Sequence, residues 1–145
     1  MLKLSKTLKI VFFVVIIIIG FLTFQVMDKA DYRNIAKVKP DVYLSAKTLI
    51  SHFKDGDKTI LKPESVVEIR GVVKEINTIN NRYTIVLKGE ENDSSSIICD
   101  MRANQKEYIT ALKPKDTILI KGVFKGFLRD AVFLNCVISD RTINE

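Results

Sequence analysis

An uncharged apolar run near the N-terminus constrains this chain more than any other feature. Residues Ile10 to Phe24 read IVFFVVIIIIGFLTF, fifteen residues without a charge. As a helix this run covers about 22 Å, whereas the hydrocarbon core of a bilayer is roughly 30 Å thick. Extension from Leu8 to Met27 gives twenty residues, and Lys9 can then snorkel to the headgroups. The run is therefore predicted to be a transmembrane helix.

Two other interpretations of the run are weaker. A cleaved signal peptide ends in a small-x-small site, but this run ends in the bulky residues LTFQVM at 22–27. No lipid-attachment cysteine follows the run, because the first cysteine is Cys99. A buried core helix is disfavoured because the run has no polar face. We expect an uncleaved signal-anchor, with cleavage as the alternative.

The charges that flank the run predict its orientation. Lys3, Lys6 and Lys9 precede it, whereas residues 28–33 carry two acids and two bases. Lys and Arg are preferentially retained on the cytoplasmic side of a membrane. We therefore expect a single-pass protein of the bacterial cytoplasmic membrane, with its N-terminus inside and its C-terminal domain outside.

The composition divides the chain into three segments. Residues 1–27 form the cytoplasmic basic flank and the anchor, and residues 28–41 form a polar tether that ends near Pro40. Residues 42–145 are long enough for one small folded domain with its own core, and too short for two.

The net charge of +6 belongs mostly to the membrane flank. Residues 1–40 hold seven basic and two acidic side chains, and the rest of the chain holds sixteen basic and fifteen acidic ones. A domain that grips nucleic acid through its phosphates usually carries a clear basic excess. The nearly neutral charge of the domain disfavours nucleic-acid binding. It does not exclude a local stripe of basic residues on the surface of the domain.

The domain shows one helical pattern followed by strands. Residues 45–54 are predicted to form a helix that Ser45 caps. Its apolar stripe comprises Ala46, Leu49, Ile50 and Phe53. A period of two then predicts a long strand that Gly71 bends. The predicted strands cover residues 65–76, 82–87, 97–102, 116–124 and 131–138, and a short helix falls between 104 and 114.

Three strands, a helix and two strands are the order of an OB-fold, a mainly β five-stranded Greek-key barrel. We therefore predict an OB-fold barrel with a short helix between strands three and four, an extra N-terminal helix and one transmembrane helix. The alternative is an open α+β sheet with both helices on one face.

Several short motifs carry a resemblance to a known family. They read LSAKTLI at 44–50, VEIRGVVKEI at 67–76, LKPKD at 112–116 before ILIKG at 118–122, and GFLRD at 126–130 before LNCVI at 134–138. In this order they resemble the tRNA_anti-like family of small bacterial OB-fold proteins, which often carry a membrane or lipid anchor. The resemblance covers roughly Tyr43 to Ile138, with Lys115 where glycine is common. It implies an OB-fold and, by analogy with anticodon-binding domains, nucleic-acid binding, but it assigns no catalytic or ligand residues.

No pattern of catalytic residues is visible. His52, the only histidine, lies between the apolar positions of the short helix, so it is predicted to be a solvated side chain. Glu90, Glu91 and Asp93 lack the spacing of a calcium-binding loop and are predicted to be a solvated acidic loop. We therefore expect no enzymatic activity, no cofactor and no metal site.

Strands two and three of an OB-fold supply its usual binding face. In this chain the predicted binding face comprises Arg82, Thr84, Lys88 and Arg102. Tyr83 shares the core side with Ile85 and Leu87. We expect a non-catalytic, membrane-anchored binding module for an envelope protein or a glycan. The alternative is a single-stranded nucleic-acid binder, which the scarcity of aromatic platforms disfavours.

Two cysteines lie on strands that are neighbours in an OB barrel. Cys99 is central in the third predicted strand, and Cys136 is central in the fifth. A disulfide across the barrel seam would add about 2–4 kcal/mol to the free energy of unfolding. Free cysteines are also frequently buried. The sequence is therefore compatible both with a Cys99–Cys136 disulfide and with two buried free thiols.

Overall fold

The computed structural model describes residues 5–29 and 34–142, with the side chains of 24–29 and 141–142 excepted. The chain divides into two compact units between Asn34 and Ile35. Lys3 of the predicted basic flank and residues 30–33 of the predicted tether lie outside the described residues.

The N-terminal unit contains one helix, α1 (Lys6–Lys29), of 24 residues. Its length is about 36 Å at 1.5 Å per residue. The Ser5 carbonyl accepts hydrogen bonds from the amides of Leu8 and Lys9 at 2.9 and 3.2 Å, which starts the helix. The stretch Lys6–Thr23 is exposed throughout, and it is long and apolar enough to cross a membrane. This helix contains the predicted run, and its length and composition fit a membrane anchor or a signal sequence.

The second unit is a closed barrel. Its strands are β1 (Val42–Ser45), β2 (Val66–Ile79), β3 (Arg82–Lys88), β4 (Ser96–Met101), β5 (Thr117–Phe127) and β6 (Ala131–Thr142). They lie in the order β1-β2-β3-β4-β6-β5, and β2 also pairs with β5. The β4–β6 and β1–β2 pairs are parallel, and the others are antiparallel. The predicted mainly β five-stranded barrel is confirmed, and the open-sheet alternative is wrong because the β2–β5 pairing closes the sheet.

The long strand β2 changes neighbours near its middle. Residues Val66–Val72 pair with β5, and residues Val72–Ile79 pair with β3. Gly71 lies at this change, where an added Cβ would stand 3.0 Å from both the Ala46 Cβ and the Leu87 Cδ1. The absence of a side chain at Gly71 therefore lets the helix that follows β1 pack closely against β2. A glycine inside a strand is expected where the strand bends or where another part of the chain approaches closely.

Helices α2 (Ala46–Lys54) and α3 (Lys106–Thr110, preceded by a 3-10 turn at Ala103–Gln105) complete the core. The Ser45 hydroxyl accepts a hydrogen bond from the Thr48 amide at 3.0 Å, so the predicted cap is confirmed. The buried side chains of α2 are those of its predicted apolar stripe. Among them, the Phe53 ring stacks on Phe127 at 4.4 Å and on Phe124 at 5.6 Å.

Strand β1 and the end of strand β5 are among the features that differ from the sequence-based expectation. Strand β1 is not predicted, because four residues are too few to show a period; it forms by parallel pairing with Val67–Arg70. Strand β5 runs through Gly126 to Phe127, beyond its predicted end at residue 124. The turn to β6 therefore falls at residues 128–130.

Residues 35–40, here called the strap, pack on the outside of the barrel. Ile35 is only 1% exposed and joins a small apolar cluster with Val66, Val123 and Val137. The buried Lys121 donates hydrogen bonds from its ammonium group to the carbonyls of Ala36 and Val38, at 3.3 and 3.2 Å. The C-terminal part of the predicted tether is therefore packed chain.

Candidate binding face

The outer β3–β4 face comprises Thr84, Val86 and Lys88 on β3, and Ile98 and Asp100 on β4. The register pairs Thr84 with Asp100 and Val86 with Ile98. The intervening residues Ile85, Leu87 and Cys99 are completely buried in the core. Because side chains alternate between the two sides of a strand, this burial assigns the five residues to the outside of the barrel.

An aliphatic row crosses the middle of this face. Val86 on β3 pairs with Ile98 on β4, which in turn pairs with Val132 on β6. All three side chains are partly exposed. The row is not apparent in the sequence, because the parallel β4–β6 pairing joins segments that lie more than thirty residues apart.

The four predicted binding residues lie on or beside this face, but two of their positive charges have acidic partners. The Arg82 guanidinium lies 2.5 Å from the Asp100 carboxylate. The Lys88 ammonium lies 3.7 Å from the Glu91 carboxylate. Thr84 lies directly opposite Asp100, and Arg102 follows the end of β4 with a half-buried side chain. A ligand-binding role for the four residues stays a prediction.

The predicted acidic loop is tied to helix α2. The Lys47 ammonium lies 2.7 Å from the Glu90 carboxylate, and Lys54 forms an ion pair with Asp93. The Asp93 carboxylate also accepts a hydrogen bond from the Glu90 amide at 2.9 Å. These contacts anchor the loop at one border of the outer β3–β4 face.

The stability of this loop contact is expected to depend on pH. The Lys54 ammonium, with the Glu90 amide, holds the pKa of the Asp93 carboxyl below its ordinary value. A lowered folded-state pKa contributes stability above the unfolded-state value of about 3.9, and this contribution is lost as the pH falls through the folded-state value. The unfolding free energy of the wild type should fall as the pH is lowered, because this contribution is lost. We expect a smaller fall in the Asp93→Asn variant, as measured by urea denaturation at a series of pH values. The Glu91→Gln variant is the control, because the Glu91 side chain is 89% exposed, and it should keep the pH dependence of the wild type. An equal fall of the unfolding free energy in the wild type and in Asp93→Asn would contradict the prediction.

The core, and not the outer β3–β4 face, contains Tyr83, Phe124 and Phe133, whereas the exposed Tyr43 and Tyr108 lie on β1 and α3. Tyr83 is partly buried against the core cluster, as predicted. Phe124 and Phe133 are also buried, with ring centroids 5.3 Å apart. Within the described part of the chain, the outer β3–β4 face therefore offers no aromatic platform for a base.

The remaining candidate for chemistry is His52, on α2. Its Nδ1 lies 3.3 Å from the Asp57 carboxylate, and 44% of its side chain is exposed. Among the described residues, no group of three or more His, Cys, Asp and Glu side chains could hold a metal ion. The sequence-based expectation that the protein is not an enzyme stays a prediction.

The closed five-stranded barrel, with a short helix between its third and fourth long strands, is an OB-fold. The family model for tRNA_anti-like proteins matches residues 1–138, and the chain therefore belongs to the tRNA_anti-like family. No curated protein matches the chain in sequence.

Several solved structures are similar to this chain at low sequence identity. A chain of the Stn1-Ten1 complex of S. pombe is 7% identical, with a TM-score of 0.44; the match covers 55% of this chain and 59% of that one. A Klebsiella pneumoniae lipoprotein, named as a candidate nucleic acid-binding protein, is 15% identical with a TM-score of 0.45, over 66% and 89% of the chains. Entamoeba histolytica asparaginyl-tRNA synthetase is 10% identical with a TM-score of 0.47, over 72% and 25%. Such identities do not indicate a shared ligand.

Proposed function

We propose that this protein is a non-catalytic OB-fold binding module, anchored by α1 on the outer side of a bacterial cytoplasmic membrane. Its ligand is an extended protein segment of the envelope, bound on the outer β3–β4 face. The observation that carries the proposal is the aliphatic row of Val86, Ile98 and Val132 across that face. Partly exposed aliphatic side chains favour a ligand that buries apolar surface.

The charges around the row support this ligand over a polyphosphate chain. A single strand binds through basic side chains that neutralise phosphates, and its bases stack on aromatic rings. Here the carboxylates of Asp100 and Glu91 lie beside the cations of Arg82 and Lys88. A phosphate would have to compete with these ion pairs, whereas a protein segment would contact the row between them.

The helix α1 and its basic flank support the proposed location. The helix is long and apolar enough to span a bilayer, and the lysines before the run favour an N-terminus inside. With this orientation, the barrel lies on the outer side of the membrane. An envelope protein is accessible there, and so is a glycan, which is the alternative ligand.

Site-specific photocrosslinking of the full-length protein in its own membrane tests the proposed ligand. With p-benzoylphenylalanine in place of Val86, we expect a discrete adduct that a protease degrades and a nuclease leaves intact. The same label in place of the exposed Lys62, which lies outside the face, is the control and should give no such adduct. The additional change Ile98→Glu should abolish the adduct, because a carboxylate then interrupts the aliphatic row. An adduct that persists in the Ile98→Glu variant would overturn the proposed face.

Family membership favours one second candidate, a single-stranded nucleic-acid binder. Binding of this kind weakens steeply with salt. We expect the full-length protein in detergent to show no affinity for single-stranded DNA or RNA oligonucleotides at low salt, by fluorescence anisotropy. Binding that disappears as salt is raised, and that Arg82→Ala weakens, would replace the protein-ligand proposal with this one.

A further inference from the structure

The two cysteines of the chain lie inside the barrel on neighbouring strands. Cys99 on β4 and Cys136 on β6 are both completely buried, their thiols are free in this structure, and the two side chains interact with each other. We propose that in the exported domain these thiols are joined in a disulfide across the parallel β4–β6 seam, and that the bond forms before the barrel closes. The proposal rests on the outward location argued above, because disulfides persist in oxidising compartments.

A β-bulge places the two cysteines on the same side of the sheet. Cys99 lies opposite Phe133 and Met101 lies opposite Cys136, so β6 has one more residue than β4 between these pairs. Asn135 lies in this interval with a φ of +56°, a left-handed conformation that asparagine tolerates better than most residues. In a regular strand, positions 133 and 136 would face opposite sides. The extra residue turns Cys136 inward, onto the same side as Cys99 and the buried Phe133.

The folded barrel protects the thiols from reaction. Burial, together with the hydrogen bond to Cys99, raises the pKa of the Cys136 thiol well above its ordinary value. The thiolate is the reacting form in disulfide exchange, so the folded pair is inert. An oxidant must therefore reach the cysteines while the chain is still open.

The oxidant is of the protein-disulfide class, as in thiol–disulfide oxidoreductases. One cysteine loses its proton, and its thiolate attacks the oxidant's disulfide, which gives a mixed disulfide and releases one oxidant thiolate. The thiolate of the second cysteine then attacks the mixed disulfide, forms the Cys99–Cys136 bond and releases the second oxidant sulfur. The two cysteines lose two electrons and two protons, and the oxidant becomes a dithiol.

Oxidative refolding of the full-length protein tests the geometry independently of location. Reduced, denatured protein in detergent is refolded with oxidised glutathione, whose disulfide replaces that of the oxidoreductase. We expect a product two hydrogen atoms lighter, with the peptides of Cys99 and Cys136 linked, and a melting temperature higher than that of the reduced form by about 10 °C. Oxidised glutathione added to folded, reduced protein should leave both thiols free. Free thiols or only glutathione adducts after refolding would overturn the proposal.

Substitutions at Asn135 connect the bond to the bulge. Asn135→Gly retains the left-handed backbone and should form the disulfide with the wild-type yield. Asn135→Val disfavours that backbone and should lower the yield several-fold under the same conditions. A disulfide yield that Asn135→Val leaves unchanged would contradict the role of the bulge, and loss of the bond in Asn135→Gly would contradict the pairing geometry.

Thiol trapping in cells, combined with protease treatment of spheroplasts, separates the bond from the location. If both proposals hold, the protease removes the domain from intact spheroplasts, and a maleimide polymer added to the denatured protein labels the cysteines only after reduction. An outward domain with two labelled thiols before reduction overturns the disulfide alone. A protease-protected domain with free thiols overturns the proposed location and, with it, the disulfide in cells. The refolding result then shows whether the compartment or the geometry is responsible.

Discussion

Replacement of Phe124 with alanine is expected to lower the free energy of unfolding by about 3–5 kcal/mol. Phe124 is only 3% exposed, and its ring lies between Phe53 of α2, at 5.6 Å, and Phe133 of β6, at 5.3 Å. The substitution would leave a large cavity where α2 meets the barrel, since the neighbouring rings of Phe53 and Phe133 belong to two separate elements and cannot both move to fill it. Urea denaturation of the full-length protein in detergent, followed by circular dichroism of the barrel, measures the effect.

Leu128 provides the matched control for this prediction. It lies in the β5–β6 turn, with 98% of its surface exposed, so Leu128→Ala is expected to change the free energy of unfolding by less than about 0.5 kcal/mol. If Phe124→Ala costs no more than Leu128→Ala, the aromatic contact between α2 and the barrel is not a source of stability.

Replacement of Gly122 with alanine is expected to cost about 3 kcal/mol, at the upper end of the range for overpacked cores. A Cβ at this position would lie 2.5 Å from the Cys136 Sγ. The sulfur cannot move away easily, because Cys136 is completely buried. The same denaturation assay, under reducing conditions, measures the loss.

A double-mutant cycle isolates the cause of this loss. Cys136→Ala removes the sulfur, and the next atoms that the new Cβ would approach are the Leu134 carbonyl oxygen and the Phe133 Cβ, both at 3.4 Å. We therefore expect the combined change Gly122→Ala and Cys136→Ala to be less destabilising than the sum of its parts by more than about 1 kcal/mol. Gly126→Ala is the control, because a Cβ there meets nothing within 4 Å. Additive losses would show that the sulfur is not the obstacle.

The binding face was only partly predictable. The alternation of Tyr83, Ile85 and Leu87 assigns Thr84 and Lys88 to the outside of the barrel, and the structure agrees. The partners of the charged residues have no local signal, because the Arg82–Asp100 pair depends on the β3–β4 register. The aliphatic row is equally non-local, since Val132 reaches Ile98 only through the parallel β4–β6 pairing.

Patterns that are local in the chain were sufficient for the apolar helix, for the capped helix that Ser45 begins, and for the five long strands of a closed barrel. Apolar periodicity and capping act within a few residues, so their physical causes are written in short stretches of sequence. The packing of Ile35 in the strap, the pairing of β1 with β2 and the bulge at Asn135 had no such signal. These features arise from contacts between residues far apart in the chain, and folding of the barrel is what brings those residues together.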